Sequence, residues 1–104
     1  MASGLLGKAA LAANVDTTIY AVPAATVVTA NINIVNRTAA AITIRVSIGS
    51  AAPADSDYIE YETSIPANAV LERSGMVMSA AEVLVVSASA VGISVRAYGF
   101  AEVA

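Results

Sequence analysis

Apolar and polar residues alternate one for one along most of this chain. In Val28-Thr29-Ala30-Asn31-Ile32-Asn33-Ile34 the aliphatic side chains share one parity and Thr29, Asn31 and Asn33 the other, and Ile42-Thr43-Ile44-Arg45-Val46-Ser47-Ile48 repeats the pattern. Successive side chains of a strand point to opposite faces, so each run offers an apolar face to a core and a polar face outward. Both runs are rich in β-branched residues, which strands favour. Turn-forming segments separate such runs at short intervals: Pro23-Ala24, Asn36-Arg37-Thr38, the stretch from Gly49 to Ser56, Pro66-Ala67-Asn68, Ser79-Ala80-Ala81 and Val91-Gly92. The pattern predicts eight strands, at Leu6–Ala12, Thr17–Val22, Thr26–Asn36, Ala41–Gly49, Tyr58–Ile65, Val70–Met78, Val83–Ala88 and Ile93–Phe100. No segment carries an apolar period of 3.6 residues, and Lys8–Ala13 is too short for a stable helix.

Many short strands with turns between them specify an all-β sandwich or barrel. Val22-Pro23-Ala24 followed by Val27-Val28 echoes Ile65-Pro66-Ala67 followed by Val70-Leu71. Two similar four-strand halves suit a double Greek key, so the expected fold is an eight-stranded antiparallel β-sandwich, jelly-roll-like. The chain of 104 residues holds one such domain, from residue 7 to 104. Met1 to Leu6 precede it as an N-terminal arm. The adjacent Leu5 and Leu6 either fold back over the sandwich or dock on a neighbouring subunit.

Composition narrows the function. Cysteine and histidine are both absent, which removes disulfides, thiolate metal sites, the commonest general base and the usual near-neutral pH switch. Only 12% of residues are charged, with a net charge of −3, and the five cations Lys8, Arg37, Arg45, Arg73 and Arg96 lie far apart in sequence. A phosphate-binding patch needs clustered cations, so nucleic acid is not an expected partner. Mean hydropathy is +0.74, but the charge-free stretch from Thr17 to Asn36 carries four threonines, three asparagines and Pro23, a poor membrane span. A surface of Ser, Thr, Asn and Ala desolvates at little cost, which suits a protein that works in contact with other protein.

Glu60 and Glu62 share strand parity about 7 Å apart, within the carboxylate separations of inverting glycosidases. Such an enzyme also needs an apolar pocket around one carboxyl; outward glutamates more commonly pair with arginines across the sheet, here Arg45 or Arg96. Asp55 and Asp57 flank Ser56 in a loop without the glycine and glutamate of an EF-hand. No Gly-rich phosphate loop is present, and a conventional triad cannot form without histidine. No enzymatic activity, cofactor or metal is expected. Parity places Tyr61 inward beside Ile59, and Tyr58 outward with the glutamates. Arg96, Tyr98 and Phe100 share a parity near the C-terminus and combine the residue types enriched at interface centres. The candidate interface residues are therefore Leu5, Leu6, Lys8, Arg37, Tyr58, Glu60, Glu62, Arg96, Tyr98 and Phe100. A charge-poor surface with open strand edges further predicts a homo-oligomer, most simply a cyclic trimer.

The runs Leu6-Gly7-Lys8, Asp16-Thr17-Thr18-Ile19-Tyr20-Ala21-Val22-Pro23-Ala24, Ile32-Asn33-Ile34-Val35-Asn36-Arg37, Ala40-Ala41-Ile42-Thr43-Ile44-Arg45-Val46, Tyr58-Ile59-Glu60-Tyr61 and Ser94-Val95-Arg96-Ala97-Tyr98-Gly99-Phe100 together resemble small structural proteins of tailed bacteriophages. The likeness covers nearly the whole chain and is one of strands and turns, without a catalytic signature. Where that pattern places a glycine after the first proline-alanine, this chain has Ala25. The resemblance implies a virion protein made in the bacterial cytoplasm: a capsid decoration or cement subunit bound to the major capsid protein, or a tail, baseplate or fibre component. A carbohydrate-binding sandwich for host adsorption is an alternative of another class, and it lacks the tryptophan such sites use.

Overall fold

Strand alternation is realised almost residue for residue in the computed structural model, which describes residues 3–103. Its elements are β1 (Ser3–Ala10), β2 (Thr17–Ala21), β3 (Thr26–Asn36), β4 (Ile42–Gly49), β5 (Tyr58–Ile65), β6 (Val70–Met78), β7 (Val83–Ala88) and β8 (Ile93–Val103), with one 3₁₀ turn at Asp55–Asp57. They form two four-stranded sheets, ordered β1-β8-β3-β6 and β2-β7-β4-β5, antiparallel throughout. Only the β4–β5 connection stays within one sheet; every other connection crosses to the opposite sheet. That order is two Greek keys wound together, the jelly roll.

The inner faces carry the aliphatic parity of the sequence. Val28, Ala30, Ile32 and Ile34 of β3 lie buried with Ile93, Val95 and Ala97 of β8, and the opposite sheet contributes Ile42, Ile44, Val46, Leu84 and Val86. Burying each large aliphatic side chain is worth roughly 1.5–3 kcal/mol, which makes this double layer the main source of stability. Backbones approach closely where β1 meets β2: a Cβ on Gly7 would lie 2.0 Å from the Ile19 carbonyl oxygen.

The corners are tied down locally. Pro23-Ala24-Ala25 and Pro66-Ala67-Asn68 occupy equivalent corners, each leading from the second sheet into the first, and each ends in a left-handed residue (Ala25 φ 53°, Asn68 φ 56°). Asn36, buried at the end of β3, links the β3–β4 turn to the Pro66 corner. Its Nδ2 donates to the carbonyls of Ala40, Ile65 and Pro66 at 2.8–3.2 Å, and its Oδ1 accepts from the backbone N–H and hydroxyl of Thr38.

The N-terminal segment departs from expectation. β1 begins at Ser3, not Leu6, and pairs with β8 from Ser3↔Phe100 to Ala10↔Ser94. From Ser3 onward the expected arm is thus the edge strand of the first sheet; Met1 and Ala2 lie outside the described residues. A bulge between Leu5 and Gly7 inserts Leu6 as an extra residue. Leu5 opposes Tyr98 and is 43% exposed, while Leu6 is half-buried and packs on the core.

Candidate functional site

Jelly-roll order places β8 between β1 and β3, and this assembles residues distant in sequence on the outer face of the first sheet. Reading across the sheet, one row runs Leu5–Tyr98–Asn31, and the next toward the N-terminus of β3 runs Phe100–Thr29–Val77. In the opposite direction lie Lys8–Arg96–Asn33–Glu72 and then Ala10–Ser94–Val35–Val70. Phe100 and Val77 are 66% and 64% exposed, and Tyr98 is 38% exposed. An open groove of about 510 Å³ runs over the charged row, lined by Lys8, Ala10, Asn33, Val35, Ser94 and Arg96. Arg37, in the turn after β3, joins this end of the face, its Nε donating to Ser94 Oγ at 2.7 Å. The structure therefore gathers Leu5, Lys8, Arg37, Arg96, Tyr98 and Phe100 on one surface. Leu6 belongs to the core side instead.

Tyr58, Glu60 and Glu62 lie on β5, at the edge of the other sheet. Here the expected parity fails. Val46 opposes Glu60 and Ile44 opposes Thr63, so Tyr61 and Glu62 together face the single residue Arg45. This bulge, with Glu62 at φ 51°, turns Tyr61 outward to 58% exposure and separates Glu60 from Glu62. Arg45 donates to Glu62 Oε1 through Nε at 2.8 Å and through its terminal nitrogen, and its guanidinium lies 4.4 Å from the Tyr61 ring centroid. Tyr58 packs edge-on to Tyr61 with ring centroids 5.0 Å apart. Glu60 pairs with Arg73 of β6 at 2.5 Å and accepts from the Thr63 hydroxyl; the ion pair bridges the two sheets at the β5–β6 side. Arg96 is partner to neither glutamate, because it stands on the outer face of an inner strand of the first sheet, whereas Arg73 lies on the edge strand beside β5.

These pairs fix the electrostatics. The hydrogen bond from Arg45 holds the Glu62 carboxyl below its usual range and raises the guanidinium pKa in return. Asp57 is likewise held low by the backbone N–H groups of Ala54 and Ser50, which it accepts while closing the β4–β5 loop. Among the described residues no group of three or more acidic side chains is placed to hold a metal ion.

Asn33, Glu72 and Val77 belong to the candidate face without having been among the expected interface residues. Their alternation marks them as outward, but only the β1-β8-β3-β6 order makes them neighbours of Lys8, Arg96 and Phe100. Comparison with protein-family models, curated proteins and solved structures finds no match to the chain.

Proposed function

We propose that this chain is a non-enzymatic structural protein of a virus particle, a jelly-roll subunit that stabilises the capsid by protein–protein contacts as a decoration or cement protein. One observation carries the reading: the outer face of β1-β8-β3-β6 presents Leu5, Tyr98, Phe100 and Val77 to solvent in adjacent rows. Contiguous apolar patches of this kind mark protein contact surfaces. Double-sheet jelly rolls recur in capsid and lectin domains, and the phage resemblance favours the former. Carbohydrate binding is less well supported, since Arg45 stacks on Tyr61 and occupies ring surface a sugar would use.

The test is to locate the chain in purified particles. Density for this jelly roll on the head lattice, with loss of head stability when the chain is omitted, supports the proposal. Density confined to the tail moves the function to a tail or fibre component. Absence from particles overturns the virion assignment.

A further inference from the structure

The row Lys8–Arg96–Asn33–Glu72 is polarised. Cations stand on β1 and β8, and the anion stands on β6. With strands spaced about 4.8 Å apart, the backbones of Lys8 and Glu72 lie roughly 14 Å apart, beyond the reach of the two side chains, and Arg96, roughly 10 Å from Glu72 along the same row, makes no pair with it. Among the described residues the ion pairs are Arg45–Glu62 and Arg73–Glu60, so none of Lys8, Arg96 and Glu72 is neutralised there. Asn33 Oδ1, between them, is shielded from solvent and has no hydrogen-bond donor.

We propose that this face binds a second copy of the same chain, the two outer sheets stacking about a two-fold axis that runs along the strands between β8 and β3. This inference rests on the proposed role in protein contact and gives the exposed face to self-association, which leaves the other surfaces of the dimer to meet the capsid. Such an axis maps each row onto itself with its order reversed. Lys8 then lies over the partner's Glu72, and Arg96 over the partner's Asn33, where rotation of the amide presents Oδ1 to the guanidinium. One row along, Tyr98 covers the partner's Asn31, and Leu5 meets the β6 bulge at Gly75. Gly75 has a φ of +70° and open space where a Cβ would stand, so no side chain of the bulge obstructs the protruding leucine. Phe100 covers the partner's Thr29.

The charges of the row thus agree with one operator, which also covers the exposed Leu5, Tyr98 and Phe100. The face is complementary to itself, as a two-fold contact requires. The cyclic trimer expected from the sequence needs a second, different patch instead. Four strands by about nine residues give a footprint of roughly 19 by 30 Å, or on the order of 1,200 Å² for the pair, the lower end of stable interfaces. Stacked sheets cross at about 30°, so the rows nearest the axis centre make the closest contacts.

Sedimentation velocity of the full chain tests this directly. The wild type is expected to be a dimer at micromolar concentration, weakened by salt. Glu72→Lys and Lys8→Glu should each raise the dissociation constant about tenfold or more, because symmetry breaks the pair twice. Combining them should restore affinity to within about threefold of wild type, as a charge exchange re-forms both pairs. Lys8 is the only lysine in the chain, so carbodiimide coupling should yield a Lys8–Glu72 peptide between copies, a readout that needs no variant. A monomer at tens of micromolar, a trimer, or a double variant as weak as the singles overturns the two-fold pair. A monomer that still decorates particles overturns this inference alone; a dimer absent from particles overturns the virion reading alone.

Discussion

The guanidinium of Arg45 is held between the Tyr61 ring, 4.4 Å away at its centroid, and the Glu62 carboxylate. Two consecutive residues of β5 reach one arginine of β4 because the bulge between Glu60 and Thr63 turns both to the same side. An unbulged strand would send one of them to the opposite face. The cluster pins the register of β4 against β5 and holds Tyr58 and the exposed Tyr61 in place.

The Arg45–Glu62 pair predicts an acid-side change in stability. The Glu62 carboxyl titrates below its ordinary value of 4.5 in the folded chain. Its contribution is therefore fully present above the unfolded pKa and is lost as pH falls through the folded one. Asp57 behaves in the same sense, from its ordinary 3.8 downward. Thermal melts of wild type and Glu62→Gln should differ at pH 7 and converge at strongly acid pH. A gap that persists unchanged at pH 2 would show that the glutamate acts by packing alone.

Corner geometry predicts simple stabilising changes. Ala25 and Ala81 hold left-handed φ values of 53° and 67°, where a Cβ is unfavourable. Ala25→Gly and Ala81→Gly should each stabilise the chain by about 0.5–1 kcal/mol, seen as a rise in Tm of several degrees. Asn68→Gly should change little, since asparagine tolerates this conformation. If all three behave alike, backbone strain is not what these positions share.

Asn36 shows what alternation conveys and what it hides. As the last residue of β3 it follows the even-numbered, inward parity of Val28 to Ile34, yet its composition marks it as a turn residue, and it serves as both. Removing its amide takes the buried side-chain donor from the Ile65 carbonyl and one of two donors from that of Pro66, which keeps the Ala69 N–H. Asn36→Ala should cost about 2–4 kcal/mol by denaturant unfolding. Asn36→Leu, which restores volume but no donor, should not recover that loss.

The strand limits were legible because β-branched alternation and prolyl corners mark them; Thr26–Asn36 and Tyr58–Ile65 coincide with β3 and β5. Counting by twos cannot register the extra residue at Leu6 or at Tyr61–Glu62: Leu6, a candidate for the interface, packs on the core, and Tyr61, expected inward, is exposed. The C-terminal strand runs on to Val103 because β3 supplies Thr26 and Val27 as partners for Val103 and Glu102. The charged row of the candidate face had no local signal at all. Lys8, Arg96, Asn33 and Glu72 become neighbours only through long-range strand order.

The two leucines of β1 give the sharpest separation between folding and association. Leu6 packs against the core, whereas Leu5 projects beside Tyr98 on the candidate face. Leu6→Ala should therefore cost about 2 kcal/mol or more of stability. Leu5→Ser should change stability by about 0.5 kcal/mol or less, as expected for an exposed position, while weakening self-association. Deleting Met1 to Leu6 should do both, since it strips β1 from Tyr98, Gly99 and Phe100 and leaves an open edge on β8. An independent docking arm would behave differently: its deletion would spare the fold and reduce binding only. Denaturant unfolding and sedimentation of the three variants decide between these accounts. A truncated chain as stable as wild type would mean that the first strand contributes nothing to the sandwich, and that Leu6 is not part of its core.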